Sequence, residues 1–270
     1  CEAMSRPTMR FVPVKTADQQ AALMQASMRE RLVRERTRLA NTIRGHALEF
    51  GLAAPTGPAQ VAPLLAAVAA DLRVPALARE LFAGLGEEFA DVERRVAEAD
   101  ARLRAWHRAS EVSRRLATVP GIGAITAALL AMKVPDPTVF RTARDFAAWL
   151  GLTPKDHSTA GKTRLGRITR AGDETVRSLL VVGATSVIRH ARAGTGRHQS
   201  AWLVALLARK PPKLAAVALA NKTARIVWRL LVSGEAYDPG HAAARVAGGV
   251  AGGAACGTGM GVGAGAPAAA

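Results

Sequence analysis

Long apolar runs, alternating apolar and polar stretches, metal-ligand spacings and cysteine pairs are all missing from this sequence. Without a run near the ~18 residues of a membrane span, no spanning helix is expected. Residues 1–16 do not read as a signal peptide either. Cysteine occurs only at Cys1 and Cys256, each without a ligand-type residue at short spacing, which argues against a disulfide framework or a zinc site and fits a reducing cytosol. The near absence of alternation leaves 3–4 periodicity as the dominant pattern, so a mostly α fold is predicted. Acidic residues are scarce as well. The 270 residues carry 37 Lys+Arg against 21 Asp+Glu, a formal +16 with a pI near 11.3. That balance points to nucleic acid, or less often to an anionic membrane surface. A GC-rich coding bias toward Ala and Arg explains part of the excess but not its placement. Residues 109–238 hold 20 basic and 8 acidic side chains, net +12, whereas residues 51–108 hold 7 and 8, net −1.

The most informative stretch is Gly151 to Gly172, GLTPKDHSTAGKTRLGRITRAG. Five cations (Lys155, Lys162, Arg164, Arg167, Arg170) accompany one acid, Asp156, and a hydroxyl pair, Ser158 and Thr159. With no apolar periodicity, the stretch is expected to be a loop held between helices. Gly161 and Gly166 allow close backbone approach to a ligand. Cations, backbone N–H groups and a hydroxyl together suit a phosphodiester, and a plain solvated basic loop is the competing reading.

Pro7 and Pro13 make the first segment extended after a short helical end. A long helix is expected from about Ala17 to Phe50, with Met28, Leu32, Leu39, Ile43 and Phe50 as its apolar stripe. Six arginines between Arg29 and Arg44 wrap the rest, as a solvated face or a nucleic-acid contact. Gly51 ends the helix and Ala54 to Gln60 reads as a linker. From Phe89 a heptad sets in (Phe89, Val92, Val96, Ala99, Leu103, Trp106), the pattern of an antiparallel hairpin, a short coiled coil or one helix of a bundle. Its exterior acids, among them Glu87, Asp91 and Glu98, argue against its lying along DNA.

Pro120-Gly121-Ile122-Gly123 follows, between two helical segments. This is a helix-hairpin-helix-like layout, in which Gly121 and Gly123 offer backbone N–H groups to a phosphate and Ile122 plugs the core. A plain helical turn is the alternative. A short helix from about Ala143 to Leu150 has Thr142 and Asp145 at capping-box spacing and Gly151 as its C′ residue. A helix from Asp173 to about Ala193 is expected to bury Leu179, Leu180, Val182, Gly183 and Val187, with Arg177 and Arg189 turned outward. Ala201 to Ala208 and a last helix from Pro212 complete the pattern. The last helix has a stripe of Leu214, Val217, Ala218, Trp228 and Leu231, interrupted by Asn221 and Lys222, with Arg225 and Arg229 one turn apart. From His241 the Gly/Ala tail lacks large apolar residues and is expected to be disordered.

In sequence order, RFVPVKT, NTIRGHALEFG, VPGIG, FAAWLGLTP, HSTAGK, RLGRITRAGD and ANKTARIVWRLL resemble the bridge-RNA-guided insertion-sequence transposases, the IS-one-ten family, over about residues 1–238. The resemblance implies a RuvC-like nuclease domain with four metal-binding carboxylates, a coiled-coil arm, and a transposase domain whose serine forms a covalent phosphoserine link to DNA. The matching serine is Ser158, with Thr159 as the fallback. Lys155, Lys162, Arg164, Arg167 and Arg170 are the expected nucleic-acid contacts beside Gly121, Ile122 and Gly123. The family's carboxylates have no match here, so the chain is expected to be a fragment lacking most of the RuvC-like domain and inactive alone, with no metal ligands of its own and Mg²⁺ implied only for the complete enzyme.

The expected division is 1–50 (end of the nuclease domain and basic helix), 51–108 (linker and coiled-coil-like arm), 109–238 (compact helical transposase domain with the serine loop) and 239–270 (tail). Expected partners are DNA, a guide RNA and a second copy through the arm, with no membrane, in a bacterial cytoplasm at the nucleoid. The alternative is a non-catalytic nucleic-acid-binding protein that uses backbone contacts only. A membrane-surface protein is disfavoured because the cations cluster in a loop rather than along an amphipathic helix.

Overall fold

Thr16 and Gln19 open the first long helix by capping each other. The Gln19 N–H donates to Thr16 Oγ1 at 3.2 Å and the Thr16 N–H to Gln19 Oε1 at 3.0 Å. After a single turn, α1 (Glu2–Ser5), this starts α2 (Ala17–Glu49), which ends where Gly51 takes a φ of +77°. The computed structural model describes residues 2–6, 14–159, 161–194 and 200–238. The segment around Pro7 and Pro13, both cysteines and the Gly/Ala tail lie outside the described residues. The described chain is mostly helical, as expected, with one two-stranded sheet.

A 3-10 turn at Pro58–Gln60 leads into α3 (Val61–Ala70) and then α4 (Ala76–Ala109). The heptad does what its spacing predicts: Phe89, Val92, Val96, Ala99 and Leu103 are all buried. The partner across this seam is α2. Arg29 pairs with Asp100, Arg36 with Glu93 at 4.0 Å, and the Phe50 and Phe82 rings meet edge-on at 6.2 Å, so the two helices run antiparallel. Leu32, Leu39 and Ile43 enter that core, but Met28 and Phe50, expected in the same stripe, stay about two-fifths exposed. Helix α3 fits because α4 carries Gly86 at the crossing, where a Cβ would stand 3.0 Å from Leu65 Cδ1.

A small second cluster of Ala26, Leu103, Leu129 and Met132 joins this pair to α6 (Ala124–Lys133). Between α4 and α6 lies α5 (Glu111–Leu116), set by the His107 Nδ1 to Ser113 Oγ hydrogen bond at 2.8 Å. Helices α7 (Ala143–Trp149), α8 (Glu174–Arg192), α9 (Ala201–Arg209) and α10 (Pro212–Ser233) then build a third core around the α8–α10 contact.

Here the expected stripes are displaced. On α10 the buried residues are Ala215, Ala216, Ala220, Thr223, Ala224, Val227 and Leu230, while Leu214 is about half exposed. On α8 they are Val176, Arg177, Leu180, Ala184 and Ile188; Leu180 is where it was expected, and Val182 faces solvent. Small side chains line the contact, so the helices approach closely and the larger residues fall outside it.

Candidate nucleic-acid interface and serine hairpin

The basic stretch begins and ends at one pinched neck. Gly151 (φ +69°) and Gly172 (φ +78°) cross so tightly that a Cβ on Gly151 would lie 2.1 Å from the Ala171 carbonyl oxygen, and one on Gly172 1.8 Å from that of Trp149. Only glycine fits either position. Arg177 ties the two ends, its Nη1 donating to Leu150 O and Ala171 O at 3.1 Å each. It is 8% exposed, so the expectation that it turns outward is corrected. The free carbonyls left at the α7 terminus and before α8 are what draw the guanidinium inward. Asn221 Nδ2 adds a 3.0 Å bond to Leu152 O from α10, and Lys133 holds Asp173, the α8 N-cap, at 2.5 Å.

Beyond the neck the chain is a β-hairpin, where a loop was expected. Strands β1 (Pro154–Asp156) and β2 (Leu165–Ile168) pair antiparallel, Pro154 with Ile168 and Asp156 with Leu165, through an irregular register, and Thr159 bridges Lys162 near the tip. Sequence periodicity could not show this, since both faces are exposed and no alternation is required. His157 lies over Gly166, where a Cβ would come within 3.0 Å of the imidazole.

Ser158 sits at the turn of this finger. Its N–H donates to Asp156 Oδ1 at 2.8 Å, and its Oγ accepts from the Arg164 N–H at 3.0 Å. The Ser158 hydroxyl, then its backbone N–H, hold the Asp156 carboxyl below the usual range, so it is ionised at neutral pH. Lys155, Ser158, Thr159, Lys162, Arg164, Arg167 and Arg170 are all exposed. None of the hairpin cations makes an ion pair among the described residues. Arg170 is held at φ +57° in the neck, the one non-glycine with positive φ among the described residues.

The Pro120–Gly123 turn reaches α8 elsewhere. Ile122 is buried in the core, as expected. Gly121 (φ +86°) touches the backbone of α8: a Cβ on Gly183 would stand 1.9 Å from Gly121 O. Gly123 is exposed at the α6 N-cap with open space around it. Gly183 lies six residues from Arg177, about 9 Å along the helix and roughly a third of a turn round it. The turn and the hairpin are therefore mounted on one helix but on different faces.

Residues 113–199, which take in the turn, the neck and the hairpin, match the family model described as Transposase IS116/IS110/IS902 family. The Sinorhizobium fredii protein y4pF/y4sB, named as a transposase, is 60% identical over 92% of this chain and 64% of its own length. A Pseudomonas aeruginosa protein named as a family 20 transposase is 46% identical, with 89% and 72% covered. The transposase for insertion sequence element IS1328 of Yersinia enterocolitica is 38% identical, with 88% and 70% covered. The chain belongs to this transposase family. It spans just under two thirds of the length of the Sinorhizobium relative.

Among the described residues of this transposase-family chain, no three His, Cys, Asp or Glu side chains converge. Nor, among the described residues, is any helix long and apolar enough to cross a membrane. Sequence reasoning missed the inward role of Arg177, the backbone contact of Gly183 with Gly121, and the part-exposed Trp149, which packs on Phe140 at 5.3 Å beside the neck. A signal existed for the first alone: an Arg one turn into a helix preceded by Ala-Gly-Asp.

Proposed function

We propose that the hairpin delivers Ser158 as a nucleophile to a DNA phosphodiester during transposition. The observation that carries this is an exposed serine whose N–H donates to Asp156 and whose hydroxyl accepts from the Arg164 N–H, on a finger whose cations have no carboxylate partners among the described residues. In the step, the Ser158 Oγ–P bond forms and a P–O bond to deoxyribose breaks. The hydroxyl proton passes to the Asp156 carboxylate and the departing sugar oxygen takes a proton from solvent. The phosphoserine link keeps the phosphodiester energy for rejoining. Lys162, Arg164 and Arg167 stabilise charge on the phosphoryl oxygens, with Lys155 and Arg170 positioning the backbone.

The rest of the reading rests on the resemblance. The four domains keep the boundaries 1–50, 51–108, 109–238 and 239–270. The Mg²⁺ ligands belong to the nuclease portion, a guide RNA selects the target, and this chain alone binds DNA without cleaving it in the cytoplasm at the nucleoid. Exposed Leu72, Leu77 and Leu81 (88, 67 and 61%) on the arm support pairing with a second copy. Gly121 and Gly123 contribute a lesser backbone contact, favoured at Gly123 by its exposure.

The test joins this chain to the portion of the Sinorhizobium relative that it does not span, with guide RNA and Mg²⁺, and follows the covalent protein–DNA adduct on a denaturing gel. Ser158→Ala abolishes the adduct with DNA affinity nearly unchanged. An adduct surviving Ser158→Ala but lost in Thr159→Ala moves the nucleophile by one residue, and survival in both overturns the reading. The non-catalytic alternative is favoured by one observation, that Ser158 Oγ already serves the turn by accepting from Arg164. It predicts no adduct from any variant.

A further inference from the structure

Helix α10 carries Lys222, Arg225 and Arg229 at i, i+3 and i+7, which places all three on one face. That face does not lie against the core. It forms one wall of a cleft of about 880 Å³, closed by the start of α7 with Arg144 and by the segment after α10 with Tyr237. A cleft of this size lies at the upper end of the ~300–1,000 Å³ range of small-molecule sites.

None of these four cations makes an ion pair among the described residues. Lys222 is instead held over the Trp202 ring at 4.3 Å, and burial, then the nearby Arg225, push its amine below its ordinary value. Like charges gathered this way without carboxylate partners are relieved by an anion. The aromatic component is Tyr237, half-buried on the core, and Trp228, whose Nε1 donates to Pro137 O at 3.1 Å and so fixes its ring in the wall. Glu235 and Asp238 also line the cleft, on the Tyr237 side. Four cations against two acids leave it positive, with the acids on the segment after α10 and three of the cations along α10.

We propose that this cleft binds a single strand of nucleic acid, with phosphates along Lys222, Arg225 and Arg229 and an unstacked base against Tyr237. Phosphates and bases separate in a splayed strand, which is what a surface divided into a cationic wall and an aromatic end can read. In a duplex the bases are stacked inside and the aromatic end has no face to meet. Glu235 suits the donor groups of a base edge, and the negative charge on this segment repels phosphate from that end.

The proposal assumes that the chain acts on nucleic acid, as above, but is independent of Ser158. The experiment measures anisotropy of fluorescein-labelled 15-nucleotide poly(dT) and poly(U) strands and of a 15-base-pair duplex with the full chain. Arg225→Glu with Arg229→Glu is expected to weaken strand binding at least tenfold and duplex binding less than threefold. Arg164→Glu with Arg167→Glu, the hairpin control, is expected to give the reverse. Strand affinity within twofold of wild type in the α10 variant overturns the proposal and leaves the hairpin reading standing. Wild-type protein that binds neither strand nor duplex overturns both. Should the α10 variant not fold, 4-thiothymidine strands cross-linked to the unaltered protein and mapped by mass spectrometry decide the matter. Adducts on Trp228 or Tyr237 support the cleft, and adducts confined to the hairpin overturn it.

Discussion

The α2–α4 pair and the α8–α10 core hold together by opposite means. The first uses large side chains at heptad spacing, with Arg29–Asp100 and Arg36–Glu93 ion pairs beside the seam. The second sets alanines of α8 and α10 among Leu180, Val227 and Leu230, brings backbone against backbone at Gly121–Gly183, and leaves the hairpin and α10-cleft cations without ion pairs among the described residues. A seam of large side chains tolerates repacking, because rotamers absorb small changes of volume. A backbone contact has no such reserve. The structural region near neutral charge is the forgiving one, and the cationic region that carries the candidate sites is the stiff one.

The sharpest break in this comparison is Gly183→Val against Gly86→Ala. A Cβ at Gly183 meets a carbonyl oxygen at 1.9 Å, so a loss of about 4 kcal/mol or failure to fold is expected. At Gly86 the obstacle is the end of the Leu65 side chain, and the helix gain of ~0.5–1 kcal/mol roughly cancels the displacement. Urea denaturation of both variants measures the contrast, and equal losses would contradict it. Next in size is Phe89→Ala in the seam, expected to cost about 3–4 kcal/mol by the same measurement.

Arg177→Met leaves two carbonyls at the hairpin neck without their donor, a loss of about 2–3 kcal/mol. Its distinguishing readout is local: hydrogen exchange should quicken in residues 151–172 and leave the α2–α4 seam unchanged. A smaller effect is expected from Arg29→Ala, about 1 kcal/mol for a partly exposed pair, shrinking in high salt. The smallest concerns pH. The Asp156 carboxyl is lowered in the fold, so the Ser158 clasp is intact above the ordinary Asp range near 3.9 and is lost as pH falls through the lowered value. Carboxyl-carbon NMR titration should place Asp156 below the ordinary Asp value near 3.9. A midpoint at or above that value would remove the clasp.

The sequence was most readable where burial followed side-chain size. The span of α2, the heptad and Ile122 in the core were all visible, since large apolar residues recur at the helical period. It misled where small residues were the packing element: on α10 the buried Ala216, Ala220 and Ala224 carry too little hydrophobicity to outweigh neighbouring Leu214. The hairpin was located by its glycines and cations but read as a loop, because strand pairing with both faces exposed leaves no periodic trace. Arg177 was assigned outward by charge alone, and only the paired carbonyls of Leu150 and Ala171 explain its burial. The α10 cation stripe was visible as an interruption of an apolar face, but its cleft depends on residues 80 positions away.

The closed neck at Gly151 and Gly172 has a further consequence, for how far the cationic finger extends. Everything that anchors the finger lies at its root, and neither strand lends a face to the core. Its length is therefore a free dimension. Adding one residue to each strand would carry the tip about 3.4 Å farther out without disturbing a single helix contact. Adding a residue to only one strand would swing Ser158 sideways instead. Lineages can in this way adjust the span between anchor and tip to a differently shaped partner while the helical body stays constant.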